Sequence, residues 1–222
     1  MDIINIAIDG TSGSGKSTAA KNVAKALGIE YIDTGAMYRA AAYKALERGI
    51  SVSDDRAIGE MLDDTEIDFS GGRIFLDGKD VGDKIRTLEI SNAASQVSQL
   101  ASCRSKLVEI QRRIASAKSV VMDGRDIGTN VLPAASHKFY VTASLETRAR
   151  RRLAELQEKG EPATYEEVYA DLRKRDHNDM TRALNPLVRA KDAVDITTDE
   201  LDIEQTTQKL LSCITEAGCS PL

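Results

Sequence analysis

Gly10–Ser17 read GTSGSGKS, set between the apolar, β-branched run Ile3–Ile8 and the stretch TAAKNVAKALG, where Ala19, Val23, Ala26 and Leu27 recur at helical spacing. Strand, glycine-rich turn and helix thus follow one another, and the turn meets the pattern G-x-x-x-x-G-K-S at every fixed position. A flexible Gly/Ser turn shares the composition; the complete motif in this context points instead to a phosphate-binding loop. Gly10, Gly13 and Gly15 let successive N–H groups turn inward, and the helix N-terminus adds positive potential. Thr11, Ser12, Ser14 and Thr18 supply the rest of the cradle. Lys16 brings a point charge for β/γ oxygens, and Ser17 a hydroxyl for Mg2+, an ion that keeps most of its waters and binds phosphate oxygens.

Outward from the loop, Ile29–Ile32 reads as a second strand and GAMYRAAAYKALERG as a helix closed by Gly49. The pattern then changes. DDRAIGEMLDDT is a short helix, and EIDFSGGRIFLDGKDVGDKI alternates between Gly-Gly and Asp-Gly breaks, the mark of a small antiparallel insert over about 66–86. Helical stretches at Leu88–Leu100 and Arg104–Ala117 lead to the strand Val120–Asp123. KFYVTA is a further strand, SLETRARRRLAELQEKG a charged and exposed helix, TYEEVYADLRKRDHNDMTRAL a second charged helix, AVDIT the last strand, and DIEQTTQKLLSCITEA an amphipathic helix. Strands separated by helices imply an α/β fold with a parallel sheet covered on both faces, and ligands at the carboxyl ends of its strands.

The 222 residues, 41% hydrophobic and 29% charged, suffice for one core with a small insert. A net charge of -5 leaves no global positive field for a nucleic acid or an anionic membrane, so no partner of either kind is expected. No apolar run approaches the roughly 20 residues that a bilayer requires. Cys103, Cys213 and Cys219 are odd in number and match no metal spacing, which fits a reducing, cytoplasmic location. The chain lacks an N-K-x-D guanine-reading element, and at 4% aromatic content it lacks the stacking surface of a nucleic-acid motor.

Two segments are more specific than the loop: IDTGAMYR at Ile32–Arg39 and VVMDGRDIG at Val120–Gly128. With IDGTSGSGKST, KIRTLEISNAASQVS and RKRDHNDMTRALNPL they closely resemble, in order and spacing, the bacterial cytidylate kinases, from about Ile4 to Ile214. Thr11 departs from the family, whose members often carry Pro there. The resemblance implies a P-loop kinase fold with a central five-stranded parallel sheet, an acceptor-binding arm at 34–118 that carries the antiparallel insert, and a helical lid at about 148–182. It also implies a monomer that moves the γ-phosphoryl of ATP, with Mg2+, onto CMP or dCMP. A kinase for UMP, AMP or a non-nucleotide acceptor, or an ATP-binding regulator without turnover, is the competing reading.

By the same resemblance Thr34 and Arg39 belong to the acceptor site, and Arg86 and Arg125 grip its phosphate. Ser95, Arg104 and Asp126 match the positions that read cytosine, whose N4 amino group a carboxylate can accept. Arg175 and Asp179 match ribose-side contacts, and Arg182 a charge near the transferring phosphoryl. Arg148 would stack on adenine and Arg152 reach the donor phosphates, although RARRR leaves their register open. The competing reading of Arg39 is a solvated charge on an Ala-rich helix, and that of Asp123, Arg125 and Asp126 a local ion-pair cluster; on the residues alone neither is the favoured one. Without the resemblance, Arg175, Asp179 and Arg182, at i, i+4 and i+7, would be a solvated helix face. Lys16, Arg125, Arg152 and Arg182 are then the catalytic charges. No general base is needed, because a phosphate with its second pKa near 6 is largely ionised at neutrality; His137 lies outside the matching segments, and His177, inside RKRDHNDMTRALNPL, is assigned no contact.

Overall fold

A computed structural model describes residues 3–215; Cys219 lies outside them. Along the chain run β1 (Asn5–Gly10), α1 (Lys16–Leu27), β2 (Glu30–Asp33), α2 (Thr34–Glu47), α3 (Asp55–Asp63), β3 (Ile67–Ser70), β4 (Arg73–Leu76) and β5 (Lys79–Asp80). After a 3-10 turn at Lys84–Arg86 come α4 (Leu88–Val97), α5 (Ala101–Ala117) and β6 (Val120–Gly124). A π-helical turn at Ile127–Val131 leads to β7 (His137–Thr142), α6 (Leu145–Glu158), α7 (Tyr165–Thr181), β8 (Val194–Thr197) and α8 (Ile203–Thr215).

Five strands form a parallel sheet in the order β2-β6-β1-β7-β8. β1 is central, and Ile6, Ala7 and Ile8 are almost wholly buried, as expected of a strand covered on both faces. It begins at Asn5 rather than at the expected Ile3, because its ladder to β6 starts with Asn5 opposite Val120, and Ile3 and Ile4 are exposed. One face carries the larger core, built from α2 to α5 and the insert; the other carries α1 and α8, through Ala20, Val23 and Leu210. Among the described residues, no helix is long and apolar enough to cross a membrane.

The insert is the three-stranded sheet β3-β4-β5. Gly71, Gly72, Asp77 and Gly78 all have positive φ, so both two-residue turns take the hairpin form that follows the strand twist. Lys44 of α2, almost fully buried, fastens the insert by donating to the Asp77 carboxylate and to the carbonyl of Asp64. Helices α6 and α7 pack on each other through Ala149, Val168 and Leu172. The expected full exposure of α6 is therefore corrected: Arg148 and Ala149 face inward because α7 and the glycine-rich loop cover them.

Candidate active site

The glycine-rich loop springs from the end of β1, where Gly10 lies opposite Val141 of β7. A Cβ on Gly10 would come within 1.9 Å of the Val141 carbonyl oxygen, so only glycine fits. Gly15, with φ of 83°, turns the chain into α1. The Thr11 carbonyl accepts from the Ser14 hydroxyl at 3.0 Å and from Lys16 Nζ at 3.1 Å, which folds the lysine back over the loop. Burial, helped by the charge of Arg125, brings Lys16 down to about 8; Asp123, Asp179 and Asp33 oppose that shift.

Each of the adjacent strands β2, β6 and β1 has an Asp in its last two residues, and the sheet brings Asp33 and Asp123 to the floor of one cleft, with Asp9 buried beside it. Asp123 takes the Ser17 hydroxyl on Oδ2 at 2.5 Å and the Tyr31 hydroxyl on Oδ1 at 2.8 Å. Burial and the nearby charge of Asp33 raise its carboxyl, while Lys16 and the two hydroxyls pull it back. Asp33 caps α2 by accepting from Ala36 N–H at 2.9 Å and holds Arg39 at 2.8 Å. Asp9 accepts from the N–H groups of Ile127 and Gly128, both at 2.8 Å, and fixes the chain just after Arg125 and Asp126. Thr34 seals the join between β2 and β6 by donating to the Asp123 carbonyl at 2.7 Å.

The cleft above this floor, of about 270 Å3, is lined by both the loop and a set of arginines. Arg125 donates through Nε to Asp179 of α7 at 2.6 Å. Asp126, about 5% exposed, sits between two guanidinium groups, Arg104 of α5 and Arg182 at the end of α7, the second at 2.9 Å. Asn130 also donates to it, at 3.0 Å. The Tyr38 ring lies 5.9 Å from Arg104 Cζ, and Nε of that arginine is buried without a partner. Ser95 of α4 and Arg175 of α7 complete the lining. Arg39, Arg104, Arg125 and Arg182 are thus each held ready by a carboxylate on another element, while Arg175 pairs with Asp171 of its own helix.

A family model for cytidylate kinase matches residues 6–216. The chain belongs to the cytidylate kinase family. It is 50% identical over 211 residues to the cytidylate kinase of Caldanaerobacter subterraneus subsp. tengcongensis, covering 95% of this chain and 94% of that protein. To the cytidylate kinase of Clostridioides difficile it is 46% identical over 214 residues, covering 96% of this chain and 99% of the other. The crystal structure of shikimate kinase from Bacteroides thetaiotaomicron superposes with a TM-score of 0.50 at 14% identity, covering 97% of this chain and 100% of that one, a likeness of fold alone.

In this cytidylate kinase family member, the cleft brings together Ser12, Gly13, Lys16, Ser17, Thr34, Arg39, Ser95, Arg125, Asp126, Arg175, Asp179 and Arg182, with Arg104 behind Asp126. Three arginines stand elsewhere. Arg86 ends the 3-10 turn, exposed, with Nε on the Gly82 carbonyl at 3.2 Å. Arg152 of α6 is half-buried and pairs with Glu155 of the same helix at 2.8 Å, outside the cleft lining. Arg148, 4% exposed, lies beneath the loop with its nitrogens on Ala143 O, Ser12 O and Asp176, which offers no open face for a base to stack on. Sequence reasoning passed over Asp33, Tyr38 and the Ser17–Asp123 contact. The recurring signal was an apolar strand ending in Asp, in AIDG, EYID and VVMD.

Proposed function

We propose that this member of the cytidylate kinase family transfers the γ-phosphoryl of ATP to CMP or dCMP, giving CDP or dCDP and ADP. The observation that carries the reading is one cleft lined both by Lys16 and Ser17 of the phosphate loop and by Arg39, Arg125 and Arg182. A nucleotide sensor has no use for the second cluster. Two phosphorylated ligands meeting there would place a nucleophilic oxygen near the γ-phosphorus, the positioning that phosphoryl transfer chiefly needs.

The glycine-rich loop binds the donor phosphates, with Lys16 at the β/γ oxygens. Ser17 and Asp123 are hard oxygen donors that suit Mg2+, and they already touch at 2.5 Å. When bound, Mg2+ supplies charge neutralisation at the phosphate oxygens. Arg39 and Arg125 receive the acceptor phosphate by exchanging carboxylate partners for it, which a planar guanidinium does at little geometric cost, and Arg182 serves as a charge near the transferring phosphoryl. Asp126, aimed by Arg104 and Arg182, reads the N4 amino group of cytosine beside Ser95, and Arg175 and Asp179 serve the ribose side. Residues 34–118 act as the acceptor-binding arm and about 148–182 as a lid that excludes water, in a chain that works as a monomer.

ADP release measured against CMP, dCMP, UMP and AMP tests the assignment. CMP and dCMP are expected to support turnover far above the others. ADP release that no monophosphate accelerates would sink it.

A further inference from the structure

Two carbonyls of the glycine-rich loop are held from outside it. Ser12 O accepts from Arg148 Nη1 at 3.0 Å, and Ser14 O accepts from the Thr198 hydroxyl at 3.0 Å. Thr198 is braced in turn by Arg151 Nη1 at 3.1 Å. A trans peptide points its N–H opposite to its C=O. Pulling these carbonyls outward therefore turns the N–H groups of Gly13 and Gly15 into the cleft, where donor phosphates would lie.

Arg148 is well made for this task. A Cβ on Gly13 would meet the Arg148 Cβ at 3.4 Å, so the arginine runs directly along the loop. Its Nε is spent on Ala143 O at 2.9 Å, and Nη2 on Asp176 Oδ2 at 2.7 Å. Asp176 contributes a largely buried carboxylate, and its second oxygen has no hydrogen-bond partner. It also belongs to α7, the helix whose Asp179 holds Arg125 and whose capping residue Arg182 holds Asp126.

We infer that Asp176 is a positioning residue of the donor site: through Arg148 it sets the aim of the Gly13 amide, and through α7 it ties that amide to the acceptor cleft. The inference rests on the phosphoryl-transfer reading above. Asp176 touches neither substrate; it acts by fixing a guanidinium that fixes a carbonyl. Misplacing a phosphate-binding amide by roughly an ångström costs up to about 100-fold in rate.

The test is calorimetric binding of Mg2+ with a non-hydrolysable ATP analogue, without acceptor, to the wild-type chain and to Asp176→Asn, with melting temperatures recorded alongside. Affinity is expected to fall about tenfold, and kcat with CMP by at least as much, while KM for CMP moves little. Asp176→Glu should recover part of the loss. Adding Asp176→Asn to Arg148→Met should cost nothing beyond Arg148→Met alone, because the two act in series. If Asp176→Asn does not fold, Arg148→Lys replaces it, since a lysine keeps the charge but cannot serve three acceptors in the same fork. Unchanged analogue affinity with a lowered melting temperature would overturn the inference and leave Asp176 a purely structural residue. A wild-type chain that binds the analogue yet phosphorylates no CMP would refute the acceptor assignment alone.

Discussion

The Ser17 hydroxyl and the Asp123 carboxylate meet at 2.5 Å across 106 residues of sequence. One closes the phosphate loop and the other ends β6, so the parallel ladder between β1 and β6 sets their separation. Asp123→Asn keeps the shape and removes the charge. The expected result is a fall in kcat on the order of 100-fold and a Mg2+ titration shifted to higher concentration. A wild-type Mg2+ midpoint in the variant would show that the pair has no part in holding the ion.

Asp9 should leave its mark on stability. Burial outweighs its two backbone hydrogen bonds and raises its carboxyl from 3.8 to about 6. The folded chain thus holds this proton more tightly than the unfolded one. The stabilisation is complete below about pH 4 and is lost as pH rises through about 6. A shift of that size corresponds to about 3 kcal/mol. Asp9→Asn cannot titrate, so the urea midpoint of the wild type, taken relative to the variant, should decline across that interval and then level off. Parallel curves would contradict the raised carboxyl.

Asp126 requires care in the choice of substitution. Alanine would strand Arg104 and Arg182, both buried, at a cost of about 3–5 kcal/mol, and confuse selectivity with folding. Asp126→Asn keeps the volume and one accepting oxygen. The preference for CMP over UMP should then drop by at least about tenfold in kcat/KM, since an amide can serve either base edge. Undiminished preference would remove Asp126 from base recognition.

Much of the architecture could be read directly. GTSGSGKS with its flanking strand and helix placed β1 and α1, and the Gly-Gly and Asp-Gly pairs placed both turns of the insert. These are local signals, written in backbone preferences of adjacent residues. Side-chain direction is not local. Arg148 and Arg152 share one helix face by spacing, yet one runs under the loop and the other, half-buried, pairs with Glu155 of its own helix, because the loop covers only part of that face. Likewise Asp123 and Asp9 gain their partners only when β2, β6 and β1 stand side by side, whereas Asp33 finds Ala36 and Arg39 on the helix that follows it. Arg86 shows the reverse case, a residue carried by a matching motif whose guanidinium rests on Gly82 at the surface.

A ribosome releases β1 long before its neighbours, since the ladder partners of Asn5 and Gly10 are Val120 and Val141. Contacts so distant in sequence form late. Through the first half of synthesis the glycine-rich loop has no strand on either side and no Asp123 beside it. ATP therefore cannot act as a folding ligand for the emerging chain. It begins to stabilise the protein only once β6 and β7 are out, so nascent intermediates must be protected by other means, whatever the nucleotide supply of the cell.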